Sequence, residues 1–272
     1  MSGIFSKRER GVRSRTLLIG CVVSALMMAG PAYAACPSPF NGLQCDGDPA
    51  AAEWPACGVT TVGSISVITC DLGLDGETTA TAAKFVSPTA TTFRAYGVAG
   101  DGESFCCELS VQDGCANQRN TLYVHGTTQQ DALDLYDSAQ SQDMDCSNSY
   151  VYGDADDDTI SGSRLTTNYD QLFGEDDDDT IYGLGGGDVI HGGDSFNGDV
   201  LHGNDGADTI YGDEGEDFIY GDDGPDYCSG DDGSGTLAGD GKNHIEGGMP
   251  MTTSTAGIPR TRSAASSETM SS

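Results

Sequence analysis

Between residues 153 and 246 the large apolar residues recur about once in nine: Ile160, Leu172, Ile181, Ile190, Leu201, Ile210, Ile219, Cys228, Leu237 and Ile245. That spacing fits neither the three-to-four residue rhythm of an amphipathic helix nor the long alternation of an ordinary strand. Each apolar residue is the middle of a short run such as Thr180-Ile181-Tyr182, and about six Gly- and Asp-rich residues separate the runs. The pattern predicts very short strands joined by tight turns. A strand of three residues cannot stand alone, so the units must stack and bury their apolar residues on one another, as in a solenoid.

Nine-residue units read cleanly at Gly174–Tyr182 (GEDDDDTIY), Gly203–Tyr211 (GNDGADTIY) and Gly212–Tyr220 (GDEGEDFIY). Gly153–Ser161, Gly183–His191 and Gly221–Ser229 keep the same length, while Gly162–Phe173 has twelve residues and Gly192–His202 eleven. The extra residues of the two enlarged units fall in the turn half, and Asp170-Gln171-Leu172 and Asp199-Val200-Leu201 restore the Asp-x-apolar ending, so eight successive units carry the sixth-place Asp: Asp158, Asp170, Asp179, Asp188, Asp199, Asp208, Asp217 and Asp226. Upstream, Gly126–Asp134 is a divergent unit with Asp131, and Asn120-Thr121-Leu122-Tyr123 reads as the end of another. Downstream the pattern decays: Gly235 stands where Asp belongs in Gly230–Ala238, and Asn243 does so in Gly239–Glu246.

These residue types at this spacing point to a hard cation. Glycine at place one, and often at place four, supplies backbone angles that residues with a Cβ resist. Tight turns expose carbonyls, and stacking brings sixth-place carboxylates together. Six or more such oxygens suit Ca²⁺, whereas Mg²⁺ demands a stricter octahedron. Residues 153–246 hold 26 acidic residues against Arg164 and Lys242, a formal net charge of −24. One apolar column gains about 1.5–3 kcal/mol per side chain, against roughly 1–2 kcal/mol per residue of backbone ordering and like-charge repulsion. The segment is therefore expected to fold only with cations.

The repeat resembles the RTX, or haemolysin-type, calcium-binding nonapeptide family, whose motif is GGxGxDxUx with U a large apolar residue. The resemblance covers about residues 120–246. It implies an all-β fold, a parallel β-roll with two repeats per turn, and several Ca²⁺ ions bound along the edges. It further implies that sixth-place Asp residues of repeats i and i+2 act in pairs with backbone carbonyls: Asp158 with Asp179, Asp170 with Asp188, Asp179 with Asp199, Asp188 with Asp208, Asp199 with Asp217 and Asp208 with Asp226. The chain departs from the motif at place two, which is Asp or Glu in four of the eight units. Under the i, i+2 rule the place-nine rings fall into two rows, Phe173–His191–Tyr211 and Tyr182–His202–Tyr220, either stacked along the strands or offered as a platform for a sugar.

The flanking regions set the compartment and the domain plan. Residues 1–34 read as a secretory signal peptide: a basic head (Lys7, Arg8, Arg10, Arg13, Arg15), an apolar run from Leu17 to Gly30 and Ala32-Tyr33-Ala34 for cleavage. Tyr33 stands where a lipoprotein signal prefers Leu, which argues against lipidation of Cys36. Cleavage would leave no transmembrane segment in the mature chain, and its strong negative charge excludes nucleic acid and anionic membrane surfaces as partners. Eight cysteines between Cys36 and Cys146 suggest four disulfides in an oxidising compartment. Cys228 occupies a place-eight position and reads as a small core residue. Residues 35–119 are expected to form a small Cys-rich β domain, residues 120–248 the roll and residues 249–272 a disordered tail.

Catalytic spacings are missing: there is no HExxH, no GxSxG and no phosphate loop ending in GK[ST]. The sequence thus favours a secreted calcium-binding repeat protein, exported through the periplasm. Its role would be structural or adhesive, with cell-surface or matrix polysaccharide or protein as partner. The alternative is a secreted hydrolase or lyase carrying a calcium-stabilised roll; the sequence leaves the enzyme question open.

Overall fold

The three-residue runs become strands because each has a partner immediately above and below. The computed structural model describes residues 56–72, 80–89, 92–99, 104–111, 120–138, 142–144, 146, 148–231, 243–248, 253–255 and 262–263. The expected signal peptide, Cys36, Leu237 and most of the expected tail lie outside the described residues. Within them every regular element is a strand. No helix among them is long and apolar enough to cross a membrane.

Successive units alternate between two parallel sheets, so that unit i pairs with unit i+2. The first sheet stacks Thr121–His125, Asn148–Asp154, Tyr169–Asp176, Val189–Asp194, Thr209–Glu214 and Tyr227–Ser229. The second stacks Ala132–Asp134, Thr159–Ser161, Thr180–Tyr182, Val200–His202, Phe218–Tyr220 and His244–Glu246. This is an all-β parallel roll. Strands of the second sheet have the expected three residues. Several in the first sheet continue through place one to places two and three, keeping Glu175, Gly193 and Asp213 in one register row.

The place-eight residues face inward. Val151, Leu172, Ile190, Ile210 and Cys228 form one rung column, and Ile160, Ile181, Leu201, Ile219 and Ile245 the facing one. All are buried. The rung expected for Leu237 is filled by Ile245, which pairs with Ile219. Gly235 offers no side-chain acceptor at the sixth place of its unit, whereas Asn243, two residues before Ile245, accepts the Asp217 N–H at 2.9 Å. Upstream, Val124 rather than Leu122 pairs with Val151, two residues beyond the repeat frame expected there. Thr253–Thr255 and Arg262–Ser263, from the segment expected to be a tail, add a strand to each sheet.

The N-terminal strands extend the same two sheets. Ala56–Val62 and Ile65–Asp71 form a hairpin whose second strand pairs in parallel with Thr121–His125. Ala80–Thr89, Thr92–Ala99 and Ser104–Ser110 form an antiparallel meander whose first strand pairs with Ala132–Asp134. Phe85, Phe93, Ile68 and Leu72 are buried here and join the same core as the roll's ladder. Cys57 and Cys70 are register partners joined by a disulfide, and Cys106, Cys107 and Cys146 are also disulfide-bonded.

Candidate metal centres

The sixth-place residues form two ladders of carboxylates, one along each edge of the roll. All eight predicted Asp residues are buried, none more than 3% exposed. On one edge the backbone N–H of Asp158 donates to Asp179 Oδ1 at 2.8 Å, that of Asp179 to Asp199 Oδ1 at 2.8 Å and that of Asp199 to Asp217 Oδ1 at 3.0 Å. On the other, Asp170 donates to Asp188 Oδ1 at 2.8 Å, Asp188 to Asp208 Oδ1 at 2.8 Å and Asp208 to Asp226 Oδ1 at 3.1 Å. The structure thus brings together all six pairs expected from the i, i+2 rule. It adds Asp131, whose N–H donates to Asp158 Oδ1 at 2.6 Å. The Asp131-Ala132-Leu133 ending was the sequence signal for it, diluted by a turn without glycine after Gly126.

The second carboxylate oxygen has a different fate. Oδ2 of Asp158, Asp179, Asp188, Asp199 and Asp208, and Oδ1 of Asp170, are buried without a hydrogen-bond partner. A buried unpaired carboxylate oxygen is costly, and something must compensate it. The five unpaired Oδ2 atoms lie over the first-place glycines of their own units, while at Asp170 the oxygen over Gly162 is the Oδ2 that accepts the Ser163 N–H. A Cβ on Gly203 would meet Asp208 Oδ2 at 2.5 Å and the Gly221 carbonyl oxygen at 2.7 Å. Gly153, Gly162, Gly174, Gly183 and Gly192 are hemmed in the same way, by their own unit's Asp and by the first-place carbonyl of the stacked unit.

Glycine at place one is therefore required for space, not for the backbone angle expected from sequence. The left-handed angle falls at place two, at Asp154, Glu175, Leu184, Asn204, Asp213 and Asp222, and at place four in Asp156, Asp177, Gly186, Gly215 and Gly224. This locates the chain's departure from the family motif: place two needs positive φ, and here residues with side chains adopt it.

Burial and stacking of like charges raise the carboxyl pKa values together. Desolvation pushes Asp188 up to about 8, and the carboxylates of Asp170 and Asp208 push the same way. Desolvation likewise raises Asp158 and Asp199 to about 8, partly offset by the N–H groups they accept. Asp179 and Asp208 rise to about 7 for the same reason. Asp170 reaches only about 6, because the Ser163 N–H opposes its desolvation.

The enlarged turns leave the ladders in register by folding outward. Arg164 sits 3.4 Å from the centre of the Tyr136 ring and its backbone N–H donates to Asp143 Oδ2 at 3.0 Å. In the eleven-residue unit, Asn197 N–H donates to Asp178 Oδ1 at 2.9 Å. Against the raising effect of burial, bonds from Asn197, Gly198 and Phe196 hold Asp178 below its usual range.

The place-nine rings form the two rows expected. Phe173, His191 and Tyr211 stack with centroids 5.4 and 4.7 Å apart, and His125 and Tyr152 prolong the row at 4.7 and 4.8 Å. Tyr182, His202 and Tyr220 stack at 5.1 and 4.5 Å. In these stacks the planes are within 20° of parallel, so neighbouring rings cover one another's faces and present edges outward. A sugar needs a ring face, so the stacked interior of either row is a poor platform. His191 Nδ1 and His202 Nδ1 lie 3.0 Å from Asp213 and Asp222 respectively, two place-two carboxylates.

Among the described residues no three Asp, Glu, His or Cys side chains converge into a cluster of metal-binding type. The donor set at each edge is mixed: stacked carboxylates with an unpaired oxygen, and a backbone carbonyl facing the same glycine. Hard oxygens of both kinds fit Ca²⁺, and a cation placed among them would compensate the unpaired oxygens. The sequence pattern of the RTX calcium-binding nonapeptide repeat matches in four copies, at residues 147–164, 170–198, 195–228 and 202–237. Residues 147–237 are RTX calcium-binding repeats. No curated protein and no solved structure matches the chain. The RTX matches begin downstream of Asp131 and end before Asn243, the two positions where the ladder on one edge starts and stops.

Proposed function

We propose that this is a secreted protein whose RTX roll folds as several Ca²⁺ ions enter its two edges, and that it serves a structural or adhesive role outside the cell. Asp158, Asp170, Asp179, Asp188, Asp199, Asp208, Asp217 and Asp226 are the proposed carboxylate ligands. The observation that carries the reading is the series of buried carboxylates with one oxygen satisfied by a backbone N–H and the other left unpaired. Bound Ca²⁺ supplies the positive charge that lets these groups be buried ionised. The chain's own part is to hold Oδ1 in the ladder, to keep glycine beneath the second oxygen and to exclude water with the place-eight column.

An extracellular setting is supported by the disulfides, by the basic-then-apolar N-terminus, and by the millimolar calcium such modules require. Extracellular modules bind at about 10⁻⁴–10⁻³ M, so the chain would remain loose where calcium is scarce. A cell-surface or matrix polysaccharide or protein is the proposed partner, approached through bridging Ca²⁺ because the ring faces are occupied. Calcium titration of the full chain followed by circular dichroism, with Mg²⁺ as control, tests the proposal. A cooperative gain of β structure with Ca²⁺ alone is expected; full structure under chelation would refute calcium-driven folding.

A further inference from the structure

The edge that carries Asp131, Asp158, Asp179, Asp199 and Asp217 ends at Asn243, and this residue behaves differently from the carboxylates before it. Asn243 is buried, 2% exposed. Its Oδ1 accepts the Asp217 N–H at 2.9 Å, the ladder bond that an Asp makes in every turn below. Its Nδ2 lies over first-place Gly230, where a Cβ would collide with it, as the second carboxylate oxygen lies over Gly153, Gly174 and Gly192. There the likeness stops. Nδ2 donates to the Gly230 carbonyl at 2.7 Å, whereas the second oxygens of Asp158, Asp179 and Asp199 find no partner.

An amide and a carboxylate have nearly the same shape, but the amide carries its own donors. Where an Asp oxygen can be joined to a backbone carbonyl only through a cation, the Asn N–H bonds one directly, that of the Gly230 it lies over. We propose that Asn243 is a calcium-independent seal. It ends the metal column on this edge and holds the last apolar rung, Ile245 on Ile219, in place when calcium is low, giving the roll a formed end on which the preceding turns assemble. This rests on the reading of the sixth-place Asp residues as calcium ligands, and goes beyond it by assigning the turn that binds no ion.

The test compares the full-length wild type with Asn243→Asp and Asn243→Ala. Calcium stoichiometry would be measured by isothermal titration, and protection of the Asp217 amide by hydrogen exchange in chelator. Asn243→Asp should bind one more Ca²⁺ per chain than the wild type and lose protection at Asp217 without calcium. Asn243→Ala should lose that protection while leaving the stoichiometry unchanged, which covers the case in which the Asp variant fails to fold. Unchanged stoichiometry in a folded Asp variant, or undiminished protection in the Ala variant, overturns the seal alone. A wild type that binds no calcium overturns the ligand assignment as well.

Discussion

Acid should partly replace calcium. In the metal-free roll the buried carboxyls of Asp158, Asp188 and Asp199 sit at about 8 and those of Asp179 and Asp208 at about 7, against 3.8 for an unperturbed Asp. Raised values mean that the folded chain holds protons the unfolded chain has shed. The stability they confer is therefore fully present below about pH 4 and is lost as the pH rises through about 7 to 8. At about 1.4 kcal/mol per unit, burying Asp188 at pH 7, where the folded group takes up a proton that the unfolded one has shed, costs about 4 kcal/mol relative to the unfolded chain. Two or three such groups match the whole of a domain's 5–15 kcal/mol of stability. With EGTA present, lowering the pH from about 8 to about 5 should raise the β signal in circular dichroism and sharpen the thermal transition. Calcium binding should show the opposite trend and weaken on acidification, because protons compete for the same oxygens. A metal-free chain whose structure is flat across that range, or declines with acid, would refute the electrostatic account of why the roll needs cations.

Three further outcomes follow from the same geometry. Gly203→Ala places a methyl against Asp208 Oδ2 and the Gly221 carbonyl; overpacking of this kind costs about 1–3 kcal/mol, and the calcium midpoint should move upward in a dichroism titration. Glu175→Gly removes an exposed side chain held at φ 80°. Relief of about 1–2 kcal/mol of left-handed strain should outweigh glycine's entropy of about 0.5–1 kcal/mol and raise the melting temperature of the calcium-loaded form. Cys228 is a buried free cysteine whose thiol is pushed up to about 12 by burial, with Asp226, Asp208 and Asp222 adding to it. Iodoacetamide should leave it unmodified in calcium and label it in EGTA, as read by mass spectrometry.

How much of this could be read from sequence depends on which interaction fixes each residue. The place-eight column and the sixth-place Asp were readable because each is set by the repeat alone: one faces a dry interior, the other the next turn's N–H, and neither depends on anything outside two neighbouring units. The long and short turns did not disturb the reading, since Asp170 and Asp199 keep their ladder bonds while the extra residues fold outward onto Asp143 and Asp178. The role of first-place glycine was not readable. Nothing in the string distinguishes a glycine needed for φ from one needed for space, and only stacking shows the carboxylate lying over it. The ends were harder for a related reason. At the N-terminal end the two sheets continue into antiparallel hairpins that obey no nine-residue frame, and Val124 takes the rung two residues later than the repeat would place it.

The C-terminal end carries the most weight for mechanism. By repeat counting, Leu237 should sit on Ile219, yet Ile245 does. The choice follows from the ladder bond rather than from apolarity. Leu237 is as apolar as Ile245, but Gly235 at its sixth place offers the Asp217 N–H no acceptor, whereas Asn243 does. A buried N–H without a partner costs about 1–3 kcal/mol, enough to decide between two rungs of nearly equal apolar gain. The sixth place therefore fixes register independently of metal. An Asp there does so and, on the proposed assignment, also takes calcium; an Asn there fixes register alone.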